Sequence, residues 1–114
     1  MSNYYLKAII LNSCYRSLNA QQLIETNNIN NKIIIIEDHN KDNYKSDIIT
    51  TFPQIYLERK HRTGSLLLGG YDDLLYVINT FKNQEFNKEN VNKFCNKYKW
   101  SKKAILRLIE LINH

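Results

Sequence analysis

Cys14 and Ser17 stand three residues apart in the stretch NSCYRSLNAQQLI, residues 12 to 24. A second cysteine at position 17 could close a disulfide within one helical turn. A serine cannot, but its hydroxyl can donate a hydrogen bond to a thiolate. The chemistry open to this pair is therefore attack by a single thiolate, with any mixed disulfide resolved by an external thiol. A helix start favours such a thiolate, because unpaired amides and the helix dipole stabilise negative charge there. The alternative is that Cys14 is a small buried apolar residue and Ser17 a solvent-facing residue of an early helical turn.

Two further segments carry residue types suited to a ligand. In TTFPQIY, residues 50 to 56, Pro53 precedes a strand, removes a ladder donor and restricts Phe52. A trans bond is the ordinary state of such a lead-in, while a cis bond would leave the Phe52 backbone open to a partner. In LGGYDDL, residues 68 to 74, paired glycines permit a tight turn and Asp72 can cap the helix that follows. A helix start with an adjacent carboxylate suits a peptide bearing both an amine and carboxylates, although a plain turn and cap would read the same.

The elements that must position these residues follow from the hydrophobic pattern. YYLKAIIL, residues 4 to 11, reads as a strand. The helix after it runs to about residue 26 with an apolar face of Tyr15, Leu18, Ala20, Leu23 and Ile24. KIIIIED, residues 32 to 38, reads as a strand covered on both faces, hence central or nearly so. Residues 40 to 49 suggest a short helix anchored by Tyr44, Ile48 and Ile49. QIYLE and TGSLLLG form two antiparallel strands, and Leu74, Leu75, Ile78 and Phe81 line a helix. The rest is helical in pattern, interrupted near Trp100, with Ser101 as a cap and Ile105, Leu108, Ile109 and Ile112 as a buried stripe. The order β-α-β-α-β-β-α implies a mixed sheet packed with helices.

The chain has 114 residues, which suit one domain able to bury a core without disulfide or metal staples. Its two cysteines exclude a disulfide-rich scaffold, and no apolar run approaches a bilayer span. With no basic leader and cleavage pattern at the N-terminus, a reducing, cytoplasmic or other intracellular compartment is expected. The formal charge of +5, concentrated at ERKHR and NKYKWSKK, can steer anionic partners of several kinds. The absence of a zinc-finger pattern or a regular aromatic ladder argues against nucleic acid, and nothing points to a membrane.

Taken together, Cys14 to Ser17 with Ala20, Leu23 and Ile24, then Thr51 to Ile55, then Gly69 to Leu74, resemble the glutaredoxin family over about residues 4 to 82. The resemblance implies a thioredoxin-like α/β fold with a four-stranded mixed sheet, to which this chain would add, beyond the family pattern, an enlarged β-hairpin and a C-terminal helical extension. The core would be residues 1–82, with 83–114 packed on it. It also implies a redox-active Cys14 supported by Tyr15 and Ser17, and a cis Pro53. Glutathione would be bound by Arg16, Phe52, Pro53, Gly70, Tyr71 and Asp72. The activity implied is that of a glutathione-disulfide oxidoreductase of monothiol type serving electron transport. Its partners would be glutathione and glutathionylated or disulfide-containing proteins.

The same resemblance carries two alternatives. One is a dimer holding a [2Fe-2S] cluster through Cys14 and glutathione. The other is a noncatalytic protein-binding module. The chain also departs from the family pattern. Leu11, Asn12 and Ser13 stand where a lysine usually precedes the cysteine, and Tyr15 replaces the usual proline. Arg59, Lys60, His61 and Arg62 can replace that missing charge, meet a macromolecular partner, or form a solvated loop. Cys95 is expected to pack beside Val91 and Phe94. Trp100 and the final stripe can cover the core or form a homodimer surface.

Overall fold

The computed structural model describes residues 3–114. Strand β1 spans Tyr4–Leu11, helix α1 Tyr15–Thr26 and strand β2 Asn31–Ile36. A 3-10 turn covers Asp38–Tyr44. Strands β3 and β4 follow at Gln54–Arg59 and Ser65–Gly69. Helices α2, α3 and α4 complete the chain at Tyr71–Phe81, Lys88–Tyr98 and Lys102–Asn113. The sheet order is β2-β1-β3-β4, with β1 parallel to β2 and antiparallel to β3, and β3 antiparallel to β4.

One face of this mixed sheet makes the core. Alternate residues Leu6, Ala8 and Ile10 of β1 join Ile55 and Leu57 of β3 and Leu68 of β4 in a single buried cluster. From α1 it takes Ala20 and Ile24, and from α2 Leu74, Val77, Ile78 and Phe81. Val91, Phe94, Trp100, Ile105, Leu108, Leu111 and Ile112 of the C-terminal part close the same cluster. The final stripe therefore covers the core of its own chain and is not a free homodimer face.

Residues of the other parity build a polar and aromatic network on the opposite face. The Glu58 carboxylate accepts from the Tyr5 hydroxyl at 2.9 Å and pairs with Lys7 Nζ at 2.7 Å, and Lys7 lies 4.9 Å from the centroid of the Tyr56 ring. The Tyr56 hydroxyl donates to Gln54 Oε1 at 2.8 Å, and Gln54 Nε2 donates to the Tyr44 carbonyl at 2.8 Å. This last bond ties the 3-10 turn to the sheet and lets Gln54 be fully buried.

Several expectations are corrected. β2 is an edge strand, because α1 carries the chain to one side of β1 while β3 occupies the other. Its isoleucine run is accordingly only partly covered, and Ile35 is 57% exposed. The expected helix over 40–49 is instead an earlier 3-10 turn with no buried residue, and Ile48 is 83% exposed. In α1 the buried stripe is Ser17, Ala20 and Ile24, while Tyr15 and Leu18 face water. At about 100° per residue, Leu18 and Tyr15 lie roughly 140–160° around the helix from Ala20, so no single face holds all five apolar residues named. In α2, Val77 is buried, and Leu75 is only partly so. Ser101 caps α4 as expected, accepting from the Ala104 amide at 3.1 Å.

Candidate functional site

At the end of β1 the chain turns through Asn12 and Ser13 and delivers Cys14 to the N-cap of α1. Cys14 is partly buried and free. Its Sγ lies 4.0 Å from the carbonyl oxygen of Phe52, and the Phe52–Pro53 peptide is cis. The trans lead-in that the residues alone favoured is thus replaced by the cis form.

Ser17 is 0% exposed, which corrects the solvent-facing alternative. Its Oγ accepts from the Leu11 amide at 3.0 Å. With that acceptor role filled, the hydroxyl proton is free to point at the sulfur of Cys14. Burial pushes the Cys14 thiol up, but the amide and hydroxyl of Ser17, the amide of Arg16 and the Arg16 charge together hold it below its ordinary value. The charge support expected from a preceding lysine is supplied here from within the first turn of α1.

Arg16 also reaches across to the start of α2. Its Nη1 is 3.1 Å from Asp72 Oδ2, with both side chains exposed. The basic hairpin makes no such contribution. The register sets Arg59 opposite Tyr4, at the far end of β1 from Leu11. That separation is about 23 Å at the usual strand rise. Arg59, Lys60, His61 and Arg62 consequently cannot stand in for charge beside Cys14.

The β4–α2 turn completes the arrangement. Gly70, rather than Asp72, is the N-cap of α2, and the carboxylate that serves the cap is Asp73, whose Oδ2 accepts from the Gly70 amide at 2.8 Å. Asp72 is left on the outer side of the first turn, where it meets Arg16. Gly69 has φ +137, and a Cβ there would run into the Asp73 side chain, so this position requires glycine on both counts. A Cβ on Gly70 would sit 3.6 Å from the Pro53 carbonyl oxygen. The proline loop and the glycine turn are therefore in contact distance, with Phe52 and Tyr71 both half-buried beside them.

The cysteine turn, the proline loop and the glycine turn thus converge, as the resemblance required. Asp73 and Tyr98 were missed. Tyr98 Oη donates to Asp73 Oδ1 at 2.6 Å. The Asp73 role was readable from its position three residues after Gly70, the spacing of a capping box. Tyr98 had no local signal, since its partner is 25 residues away. Cys95 is half-buried and packs against the core cluster that holds Val91 and Phe94.

Among the described residues no three His, Cys, Asp or Glu side chains gather as a metal site, and no helix is long and apolar enough to cross a membrane. No protein-family model matches the chain, and no curated protein matches it in sequence. Among solved structures it is similar to the crystal structure of glutaredoxin 1 from Francisella tularensis complexed with cacodylate. The TM-score is 0.54 and the identity 23%, over 68% of this chain and 94% of that one. About a third of this chain thus lies outside the superposition. The two chains share the glutaredoxin form of the thioredoxin-like fold.

Proposed function

We propose that this protein is a glutathione-dependent thiol-disulfide oxidoreductase that acts on glutathione mixed disulfides with Cys14 alone. The observation that carries this reading is the meeting of Cys14 Sγ, whose thiol is held below its ordinary value, with the Phe52 carbonyl and the cis Pro53 loop. Ser17 fills the place of a resolving cysteine and supports the thiolate instead.

Cys14 Sγ attacks the glutathione sulfur of a protein–glutathione disulfide. That S–S bond breaks, the protein leaves as a thiolate, and Cys14 becomes glutathionylated. The thiolate of a second glutathione then attacks the glutathione sulfur of this adduct. Oxidised glutathione departs and the Cys14 thiolate returns, so each turnover consumes one reduced glutathione and releases one protein thiol, the other half of the oxidised glutathione coming from the mixed disulfide. The backbone of Phe52 suits the cysteinyl part of glutathione. Amides at the start of α2 suit the γ-glutamyl carboxylate, and Asp72 suits its ammonium. Arg16, released from Asp72 by that ammonium, can turn to a carboxylate of the tripeptide. Tyr15 and Leu18, exposed beside the thiol, offer apolar surface to a protein substrate. The compartment this chemistry requires is one rich in reduced glutathione.

Exposure to oxidised glutathione followed by mass spectrometry tests the reading. The expected adduct sits on Cys14 and is removed by reduced glutathione. Cys14→Ser should abolish turnover of a glutathionylated peptide, while Cys95→Ser should largely preserve it. An adduct confined to Cys95, or no turnover by the unaltered protein, would sink the assignment.

A further inference from the structure

Two of the polar contacts between the C-terminal helices and the rest of the chain flank one turn. Trp100 Nε1 donates to the Leu67 carbonyl of β4 at 3.2 Å, and Tyr98 Oη donates to Asp73 Oδ1 in the first turn of α2 at 2.6 Å. Between these points lie Gly69 and Gly70. The second oxygen of Asp73 accepts from the Gly70 amide, so a single carboxylate is shared between the extension and the turn. It packs so closely over Gly69 that no side chain fits there.

Tyr98 is itself held firmly. Its ring stacks on Phe94 with centroids 4.4 Å apart and lies 6.3 Å from the ring of Tyr76, and Lys97 Nζ sits over both tyrosine rings. Phe94 is fully buried in the core cluster. Burial first, and then the bond to Asp73 and its negative charge, push the Tyr98 hydroxyl well above the usual phenol range, so it remains a donor. The hydroxyl thus stands at a fixed point and directs the carboxylate.

We propose that Tyr98 is a positioning residue for glutathione: through Asp73 it fixes the Gly69–Gly70 turn in the shape that receives the γ-glutamyl end. Without the hydroxyl, Asp73 loses a strong partner and gains rotamer freedom. The Gly70 amide loses a steady acceptor. A loosened carboxylate next to Asp72 also adds negative charge where the carboxylate of glutathione must sit. The role lies in binding, and it leaves the sulfur chemistry at Cys14 untouched. It rests on the functional reading above, but its structural half can be read without turnover.

Tyr98→Phe in the full chain tests it, with Trp100→Phe as a control that loosens the other anchor and spares Asp73. Two quantities are measured: hydrogen exchange at the Gly70 amide, and the separate effects on KM for glutathione and on kcat. A hydrogen bond to a charged group is worth roughly ten- to a hundredfold, of which only the part passed through Asp73 reaches the turn. Tyr98→Phe should accordingly raise KM for glutathione by about five- to tenfold, leave kcat within about twofold, and speed Gly70 exchange by a similar factor. Trp100→Phe should leave KM near that of the unaltered protein. Unchanged Gly70 exchange in Tyr98→Phe overturns the proposal, as does an equal rise of KM in both variants, which would mark a general loosening of the extension. Faster Gly70 exchange in a protein that turns over no glutathione substrate overturns the functional reading and upholds the control of the turn by Tyr98.

Discussion

At the scale of single residues, Ser17 joins stability to reactivity. It is buried, it satisfies the Leu11 amide, and its hydroxyl is one of the groups that hold the Cys14 thiol below its ordinary value. Ser17→Ala should strand a buried N–H at a loss of about 1–3 kcal/mol, measurable by denaturant unfolding. It should also move the pH midpoint of Cys14 alkylation upwards, because the Ser17 hydroxyl is one of the influences that lower that thiol, while the amide at position 17 is kept. Loss of stability with an unmoved midpoint would mean that the hydroxyl serves only Leu11. The place of Cys14 at the junction of β1 and α1 was legible because it follows from local sequence pattern. The inward orientation of Ser17 was not, because it depends on how α1 rolls against β1. Tyr98 lay further out of reach, since nothing near it in sequence names Asp73.

At the scale of elements, the second sheet face shows how a strand surface can be closed without a helix. Lys7, Glu58, Tyr5, Tyr56 and Gln54 satisfy one another across β1 and β3. Burial raises the Glu58 carboxyl, yet hydrogen bonds from Lys7, Ser65 and Tyr5 and the Lys7 charge together bring it below its ordinary value of 4.5. A group depressed in the folded state binds its proton more readily when unfolded. Its contribution is therefore complete above the ordinary value and is lost as pH falls through the lower, folded one. The acid limb of the stability–pH curve should flatten in Glu58→Gln, with a loss at neutral pH from the unpaired Lys7. An unchanged acid limb would place its origin in other carboxylates. The strands were readable from β-branched and aromatic runs. The position of β2 at the edge was not, because four isoleucines in a row look alike whether both faces are covered or one is open. The 3-10 turn was misjudged for a related reason: Tyr44 serves the sheet through its carbonyl, not its side chain.

At the scale of the whole molecule, α3 and α4 are part of the only large core cluster described, and their docking reaches the far end of α1. Lys82 Nζ donates to the carbonyls of Asn27 and Ile112, each at 3.1 Å, placing a cation at the C-terminal ends of α1 and α4. A chain cut after residue 82 should expose Leu74, Val77, Ile78 and Phe81 on the side the lost helices covered. It should fail to unfold cooperatively and should bind a hydrophobic dye; a cooperative, dye-free fragment would show that residues 1–82 suffice. The helical pattern of the extension was plain from its three-and-four spacing. Its attachment beside the glycine turn was not, because that contact is made by one hydroxyl and one indole.

The sheet also sets the reactive thiol apart from the basic hairpin. Cys14, Asp72 and Asp73 lie at one end of the central strands, and Arg59, Lys60 and Arg62 at the other, joined by a rigid span of β1 and β3. The molecule consequently has a polarity, with a cationic foot and a sulfur tip. A negatively charged surface would draw the foot first, by long-range attraction that depends on ionic strength. Adsorption of that kind would leave the sulfur pointing away from the surface and open to solution, so that holding the protein in place and letting it react need not compete.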